Sequence, residues 1–190
     1  RSPYLLTLII DMYMAKGRIS SSPGAIFREY IDSLFDRERE DRRRRGEVWP
    51  LDYDRHLVKV LARLANEMHF ARAANTISRD DAISIVEGEA TLSLLAQLNL
   101  LHDDGASVQF AHGLLQDHFA GYELESAMHR NFPASMYWRN ENWWKATPHD
   151  YVVSMLLGSY ADRPDQITRM IQWLMPAQPK LVLQYLSGNF

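Results

Sequence analysis

Residues 100–120 read LLHDDGASVQFAHGLLQDHFA, and they indicate the fold of this chain more clearly than any other segment. Two short apolar runs flank the turn sequence at 103–105, and Asp-Gly between apolar runs is the strongest local signal for a β-hairpin. Directly after the second run, His112 precedes an amphipathic segment that predicts a long helix over 113–128. An apolar strand therefore leads to one histidine at the start of a helix.

The segment before this hairpin predicts three helices. Ser78, followed by two aspartates, is typical of the start of the second helix, and Gly88 separates that helix from a third over 89–98. Three helices followed by a hairpin is the order of a winged helix. The first of the three is amphipathic and carries apolar residues at helical spacing: Leu57, Val60, Leu61, Leu64 and Met68.

Helices are also predicted before this unit. Residues 5–14 are apolar nearly all round, which predicts a helix buried on several sides. Ser22-Pro23 is typical of a helix start, and a broad apolar face follows it at helical spacing. A charged run over 36–45 and the helix-breaking residues 46–50 then mark a boundary.

The C-terminal third predicts further helices. Its apolar segments are separated by Gly158, Pro176 and Pro179, and paired helices of this kind resemble the start of an α-solenoid. The predicted fold class is therefore mainly α, in three units. These are the C-terminal part of a first helical domain over 1–46, a winged-helix domain with a small β-hairpin over 47–130, and the start of a second helical domain over 131–190.

Composition narrows the class of protein. The 190 residues are 46% hydrophobic and 24% charged, which is ordinary for a globular chain. The absence of cysteine excludes disulfides and thiolate metal sites, and no stretch reaches the roughly 18 apolar residues of a membrane helix. We expect a cytoplasmic protein without membrane contact. No signal peptide is visible. Because the chain starts at Arg1 rather than at Met and its first residues are typical of the middle of a domain, we interpret it as a piece of a larger protein.

The motifs of common enzymes are missing from the sequence. It contains no phosphate-binding P-loop, no glycine-rich dinucleotide turn, and no hydrophobic strand ending in an acidic pair that would hold Mg²⁺. It also lacks the HExxH and GxSxG motifs. Met68, between Glu67 and His69, belongs to the apolar stripe rather than to a metal motif. We therefore predict that this chain is not itself an enzyme and has no catalytic residue and no metal site.

Charge argues against DNA binding through the winged helix. Residues 80–129 contain no Lys or Arg and carry nine carboxylates, although the net charge of the whole chain is only −3. The third helix of the unit would be the recognition helix, and phosphate contacts require cations. We expect this surface to repel DNA and to serve contacts between domains instead.

Two other groups of residues are of types that also occur in nucleic-acid-binding sites. Four arginines at 42–45 follow acidic neighbours, so we interpret them as a solvated helix end. The tryptophans at positions 138, 143 and 144 are interpreted as core between the second and third units. His118 and Gln116 are interpreted as packing residues, and His102 beside the hairpin turn as solvated.

Residues 110–120, FAHGLLQDHFA, resemble the winged-helix signature of the NACHT-type STAND ATPases, which are multidomain signalling NTPases. Residues 2–6, SPYLL, are similar to the proline-led helix that opens the first helical domain of that family. Residues 24–40 resemble the end of the same domain, and 138–186 resemble the second helical domain. Three positions differ from the family pattern: Ser2 stands where Asn is frequent, Leu115 replaces an aromatic residue, and Gly121 replaces an alanine.

The resemblance implies a regulatory arm that holds ADP in an autoinhibited state. In that family the proline packs near the adenine and the histidine contacts the β-phosphate. The corresponding residues of this chain would be Pro3 and His112. The expected partners are the chain's own upstream nucleotide-binding domain and, after exchange for ATP, further copies in an oligomer. The resemblance also implies a role in innate immune or antiviral signalling.

The residues alone leave alternatives open. His112 has a second interpretation as a residue that only caps the strand and the helix of its own domain. For the chain as a whole, the alternatives are a winged-helix DNA-binding regulator, which the charge opposes, and a helical adaptor without a nucleotide.

Overall fold

The computed structural model describes residues 23–71, 75–138, 145–160 and 162–188, together with Ile10, Tyr13 and Met14. Several residues singled out in the sequence lie outside this part of the chain. They are Pro3, Ser22, Trp143, Trp144 and most of the predicted helix over 5–14.

The described residues form eight α-helices and one three-stranded antiparallel sheet, which confirms the mainly α prediction. A π-helical turn at Glu67–Ala71 extends the second helix, and a 3₁₀ turn at Ala134–Met136 follows the fifth. The elements in chain order are α1 Pro23–Arg44, α2 Tyr53–Asn66, β1 Ile77–Ser78, α3 Arg79–Ile85, α4 Glu89–Gln97, β2 Leu101–Asp103, β3 Ser107–Phe110, α5 Gly113–His129, α6 Pro148–Ser159, α7 Pro164–Leu174 and α8 Pro179–Leu186.

Elements α2 to β3 have the order of a winged helix: helix, strand, two helices and a hairpin. The strands lie in the order β1-β3-β2, with Ile77 opposite Val108 and Leu101 opposite Phe110. The hairpin turn is held by its aspartates, as the sequence predicts. The Asp103 carboxylate accepts a hydrogen bond from the Gly105 N–H at 2.9 Å, and Asp104 accepts from the two N–H groups that follow.

Helix α5 is the centre of the packing, and it contacts α1, α2, α6 and α7. The apolar stripe predicted on α2 is buried against it. Leu57 and Leu61 have no exposed surface, and Met68, which the sequence also assigned to this stripe, is equally buried in the π-helical turn. Burial of a leucine side chain contributes about 1.5–3 kcal/mol, so this contact is a main source of stability.

The hydrophobic core is continuous across the three predicted units. It includes Phe27 from α1, Leu61 from α2 and Val153 from α6. Helices α1 and α6 approach closely at Gly24, where an added Cβ would lie 2.5 Å from the carbonyl oxygen of Met155. The three units therefore share one core, while the predicted boundaries at 46 and 130 stay predictions.

The three C-terminal helices each begin at a proline: Pro148, Pro164 and Pro179. Proline suits the first position of a helix because its fixed φ is helical and its missing N–H has no partner there. Gly158, which the sequence placed between two apolar segments, is the last residue but one of α6. Within the described ranges, no helix combines the length and the apolar character needed to cross a membrane.

Candidate functional site

His112 occupies the junction between β3 and α5, and it caps the helix. Its backbone is extended, with φ −150° and ψ 141°, as is usual for a residue that precedes a helix. Its ring atom Nδ1 accepts a hydrogen bond from the Leu114 N–H at 3.1 Å. Its carbonyl oxygen accepts another from the Leu115 N–H at 2.9 Å. The side chain and the main chain of one residue therefore both bind the first turn of α5.

The cap determines which nitrogen of the ring carries the proton. Because Nδ1 accepts a hydrogen bond, it is unprotonated, and the neutral ring carries its proton on Nε2. Nε2 is therefore an N–H donor whose orientation is set by the cap. An N–H donor of this kind forms a charge-assisted hydrogen bond with a phosphate oxygen.

The first turn of α5 offers fewer amides to a ligand than the sequence suggests. The Leu114 N–H is bound by the His112 ring, and the Leu115 and Gln116 N–H groups are bound by the His112 carbonyl at 2.9 and 3.4 Å. Free N–H groups at a helix start favour an anion, but these three amides already have acceptors within the chain. The imidazole ring, rather than the helix start, is the candidate ligand group.

The residues on both sides of His112 are held firmly. Phe110 is buried and stacks on Phe119 of α5, with ring centroids 6.0 Å apart. The Ala111 N–H continues the strand pairing with a 3.0 Å hydrogen bond to the Leu100 carbonyl. Leu115, one turn into the helix, has no exposed surface. The half-buried ring of His112 is thus supported by the sheet and by the core.

Pro3, the second predicted nucleotide-binding residue, lies outside the described residues. The expected pairing of Pro3 with His112 around one nucleotide therefore stays a prediction. In the described part of the chain, no three His, Asp or Glu side chains are grouped so as to hold a metal ion.

His118 packs in the core, as the sequence predicts. Its ring lies 5.6 Å from that of Phe27 and 5.3 Å from that of Tyr122, and Nε2 has no hydrogen-bond partner among the described residues. Burial and, to a smaller extent, the charge of Arg28 lower the pKa of His118 to about 3. Gln116 is buried and His102 is exposed, and both outcomes match their interpretation.

A polar network joining α1, α5 and α6 was missed by sequence reasoning. Arg28 donates a hydrogen bond to the Ser159 hydroxyl at 3.3 Å, and the Tyr160 hydroxyl donates to Glu125 at 2.6 Å. Burial, followed by the Glu125 hydrogen bond and charge, raises the pKa of Tyr160. The partners in these two hydrogen bonds are separated by 131 and by 35 positions in the sequence, so no local signal could have revealed them.

The predicted recognition helix, α4, presents no cation. Its exposed positions are Glu89, Ala90, Ser93 and Gln97. The neighbouring Arg79 is bound by Glu89 at 2.6 Å and by Asp103 at 3.0 Å, and these two carboxylates raise its pKa. This arrangement lacks the lysines and arginines that phosphate contacts require.

The arginines at 42–45 lie at the end of α1 and directly after it, and each is paired with a carboxylate; Arg43, Arg44 and Arg45 are exposed, while Arg42 is half-buried. Arg42 donates to Glu38 at 2.8 Å and also lies over the Trp49 ring at 5.4 Å. Of the three tryptophans, only Trp138 is described. It is buried and donates to Asp150 at 3.0 Å, which confirms its core position, and it lies shortly after the 3₁₀ turn.

Comparisons with known proteins add no relative to this picture. No protein-family model matches the sequence, and neither a curated protein nor a solved structure matches the chain significantly. Function is therefore inferred from the fold, from the sequence resemblance and from the geometry at His112.

Proposed function

We propose that this chain is the regulatory arm of a NACHT-type STAND signalling ATPase, and that it holds the ADP-bound, autoinhibited state. In this proposal, ADP lies between the protein's upstream nucleotide-binding domain and the arm, in the cytoplasm. His112 contacts the β-phosphate and Pro3 lies near the adenine. Exchange for ATP releases the winged helix and allows further copies to assemble. The chain itself carries out no catalysis, and the ATPase activity belongs to the upstream domain.

One observation carries this proposal: the hydrogen bond from the Leu114 N–H to the His112 Nδ1. It leaves the proton of the neutral ring on Nε2, so the residue donates to a phosphate without being charged. The element order of a winged helix and the FAHGLLQDHFA sequence add support.

The energetics require more than one contact. A shift from mostly closed to mostly open needs differential binding of about 5.5 kcal/mol. One hydrogen bond to a charged phosphate supplies about 1.5–3 kcal/mol. Contacts between the arm and the nucleotide-binding domain, together with a sensed ligand, must supply the remainder.

The experiment uses the protein extended to its native upstream nucleotide-binding domain. Nucleotide that co-purifies with the protein is released and identified by ion-exchange chromatography, for the native chain and for His112→Asp and His112→Ala. Aspartate is a good helix cap, so His112→Asp keeps the Leu114 contact but brings a negative charge to the phosphate. We expect ADP in the native protein and loss of ADP from both variants.

The two variants separate a nucleotide contact from a purely structural cap. If His112 only caps α5, His112→Asp folds normally and retains ADP as well as the native protein does. That result would contradict the proposal. Absence of nucleotide from the native protein would instead favour the helical adaptor.

A further inference from the structure

Helix α2 carries a row of cations along its exposed side. Arg55, Lys59 and Arg63 occupy positions i, i+4 and i+8, and all three are exposed. Neighbours at this spacing lie on the same face of a helix, and like charges there destabilise it. The row therefore has a cost for the isolated helix.

The row forms one side of a groove between α2 and the C-terminal half of α5. The groove has a volume of about 630 Å³, and Arg130, the residue that directly follows α5, adds a fourth cation to its wall. Val58, Ala62 and Tyr122 give the groove an apolar floor. An apolar floor beneath cationic edges is complementary to a partner with an apolar stripe flanked by carboxylates.

Pairing within the chain neutralises only part of this charge. Arg55 lies 3.5 Å from Asp52, Arg63 lies 2.5 Å from Glu87, and Arg130 lies 2.9 Å from Glu123. Lys59 forms no ion pair with any residue in the described ranges. Asp52 and Glu87 lie outside the groove, and Glu123 is the carboxylate that lines it. The four cations exceed the three carboxylates that pair with them by one, so the wall of the groove keeps a net positive charge, which Lys59 carries.

We propose that this groove binds an acidic amphipathic helix of a partner protein. The distance from Arg55 to Arg63 along α2 is about 12 Å, which corresponds to roughly two turns of a docked helix. Helix-in-groove recognition of this type inserts apolar residues at i, i+3, i+4 and i+7, while the flanking charges select the partner. Carboxylates on both flanks of the docked helix pair with Arg55 and Lys59 on one side and Arg130 on the other.

Charge decides among the possible occupants. A symmetric dimer through this groove would bring two cationic rows together, which opposes self-association. Nucleic acid prefers a cationic surface with exposed aromatic rings for stacking. Tyr122 does not provide such a ring, because it is half-buried and packs against His118 and Phe119.

The groove is separate from His112. Tyr122 follows His112 by ten residues on α5, a distance of about 15 Å along the helix. The proposal rests on the groove and not on the nucleotide role of His112, so the two can fail independently.

The test uses this chain and a fluorescein-labelled synthetic peptide, with leucines at i, i+3, i+4 and i+7 and glutamates at the other positions. Binding is followed by fluorescence anisotropy. The variant R55E/K59E reverses two cations, and Ser126→Trp fills the groove without changing charge. The control is Arg43→Glu, an exposed cation at the end of α1. Circular dichroism verifies the fold of each variant.

We expect the peptide to bind the native chain and Arg43→Glu equally. Reversal of two exposed charges should weaken binding about tenfold, and Ser126→Trp should weaken it by a similar factor at any salt concentration. Unchanged binding by both groove variants, or no binding to the native chain, would overturn the proposal.

The remaining outcomes identify a different occupant. A glutamate peptide with scrambled leucines that binds equally well would show that charge alone acts. Preferential binding of a single-stranded oligonucleotide, lost in R55E/K59E, would assign the groove to nucleic acid. Sedimentation that shows self-association lost in the same variant would assign it to a second copy. Each of these results would replace the proposed partner.

Discussion

The hydroxyl of Tyr160 donates a 2.6 Å hydrogen bond to Glu125, and this contact joins the end of α6 to the middle of α5. Arg28 of α1 donates to Ser159 on the adjacent position of α6. The helices before and after the winged helix are therefore attached to it and to each other. If the winged helix swings on nucleotide exchange, it either carries α6 with it or breaks these contacts.

Replacement of Tyr160 by Phe should lower the free energy of unfolding by about 1–2 kcal/mol, because the buried ring stays while Glu125 loses its donor. Urea unfolding monitored by circular dichroism measures the difference. Tyr151→Phe is the matched control, since Tyr151 is half exposed and its loss should cost little. Equal stability of the two variants would show that the Tyr160 hydrogen bond has no net effect.

Replacement of Gly24 by Ala should separate α1 from α6. The added Cβ would lie 2.5 Å from the Met155 carbonyl oxygen and 2.8 Å from the Ser159 Cβ, so one of the helices must shift. Overpacking of this kind typically costs about 1–3 kcal/mol. Thermal unfolding of Gly24→Ala and Gly121→Ala provides the comparison.

Gly121 is the appropriate control because a Cβ added there would lie 3.8 Å from the Val152 side chain, which is an ordinary van der Waals contact. Alanine also favours a helix over glycine, so Gly121→Ala should be neutral or stabilising. If Gly24→Ala were as stable as Gly121→Ala, the close approach of α1 and α6 would not constrain the fold.

The sequence predicted those parts of the fold that depend on neighbouring residues. The hairpin, the placement of His112 directly before a helix and the long α5 follow from Asp-Gly turn chemistry, from alternation and from helical spacing. Strand β1 was not predicted, since Ile77–Ser78 is too short to show alternation and pairs with β3 about thirty residues later. Nothing in the sequence marks the π-helical turn at Glu67–Ala71.

For the candidate site, the position of His112 was predictable but its hydrogen bonds were not. The sequence placed a histidine before a helix. The use of the Leu115 and Gln116 amides by the His112 carbonyl depends on the residue at which α5 begins and on the conformation of its first turn. The groove between α2 and α5 was also unpredictable, because Lys59 and Arg130 meet only after two distant helices pack.

Acidification should destabilise the chain through its buried histidines. Burial lowers the pKa of His118 to about 3 and that of His149 to about 4, from an ordinary 6.5. The unfolded chain therefore binds more protons than the folded chain between pH 6.5 and pH 3–4. Stability is full above pH 6.5 and falls as the pH drops, by about 2 kcal/mol for His118 between pH 7 and pH 5.

His118→Phe should reduce this loss while it preserves the ring contacts with Phe27 and Tyr122. Urea unfolding at pH 7 and at pH 5 measures the difference. Burial raises the pKa of Asp117, so protonation of this carboxyl on acidification favours the folded chain. Asp117 therefore opposes the destabilisation that the histidines cause. A native chain as stable at pH 5 as at pH 7, with the same result for His118→Phe, would contradict the prediction.

The cap at His112 should be measurable in this chain without any nucleotide. His112→Ala removes the acceptor for the Leu114 N–H and should lower the free energy of unfolding by about 1 kcal/mol. His112→Asp and His112→Asn supply a new acceptor and should restore it. Aspartate should be the better of the two, since its charge also favours the positive end of the helix dipole.

This stability series determines how the nucleotide experiment is interpreted. If His112→Asp unfolds at the same urea concentration as the native chain, a loss of ADP in the longer protein reflects the phosphate contact and not a damaged helix. If His112→Asp is as unstable as His112→Ala, the side chain of residue 112 does not cap α5 in solution. The assignment of the Nε2 proton would then lose its basis, and with it the observation that carries the proposed function.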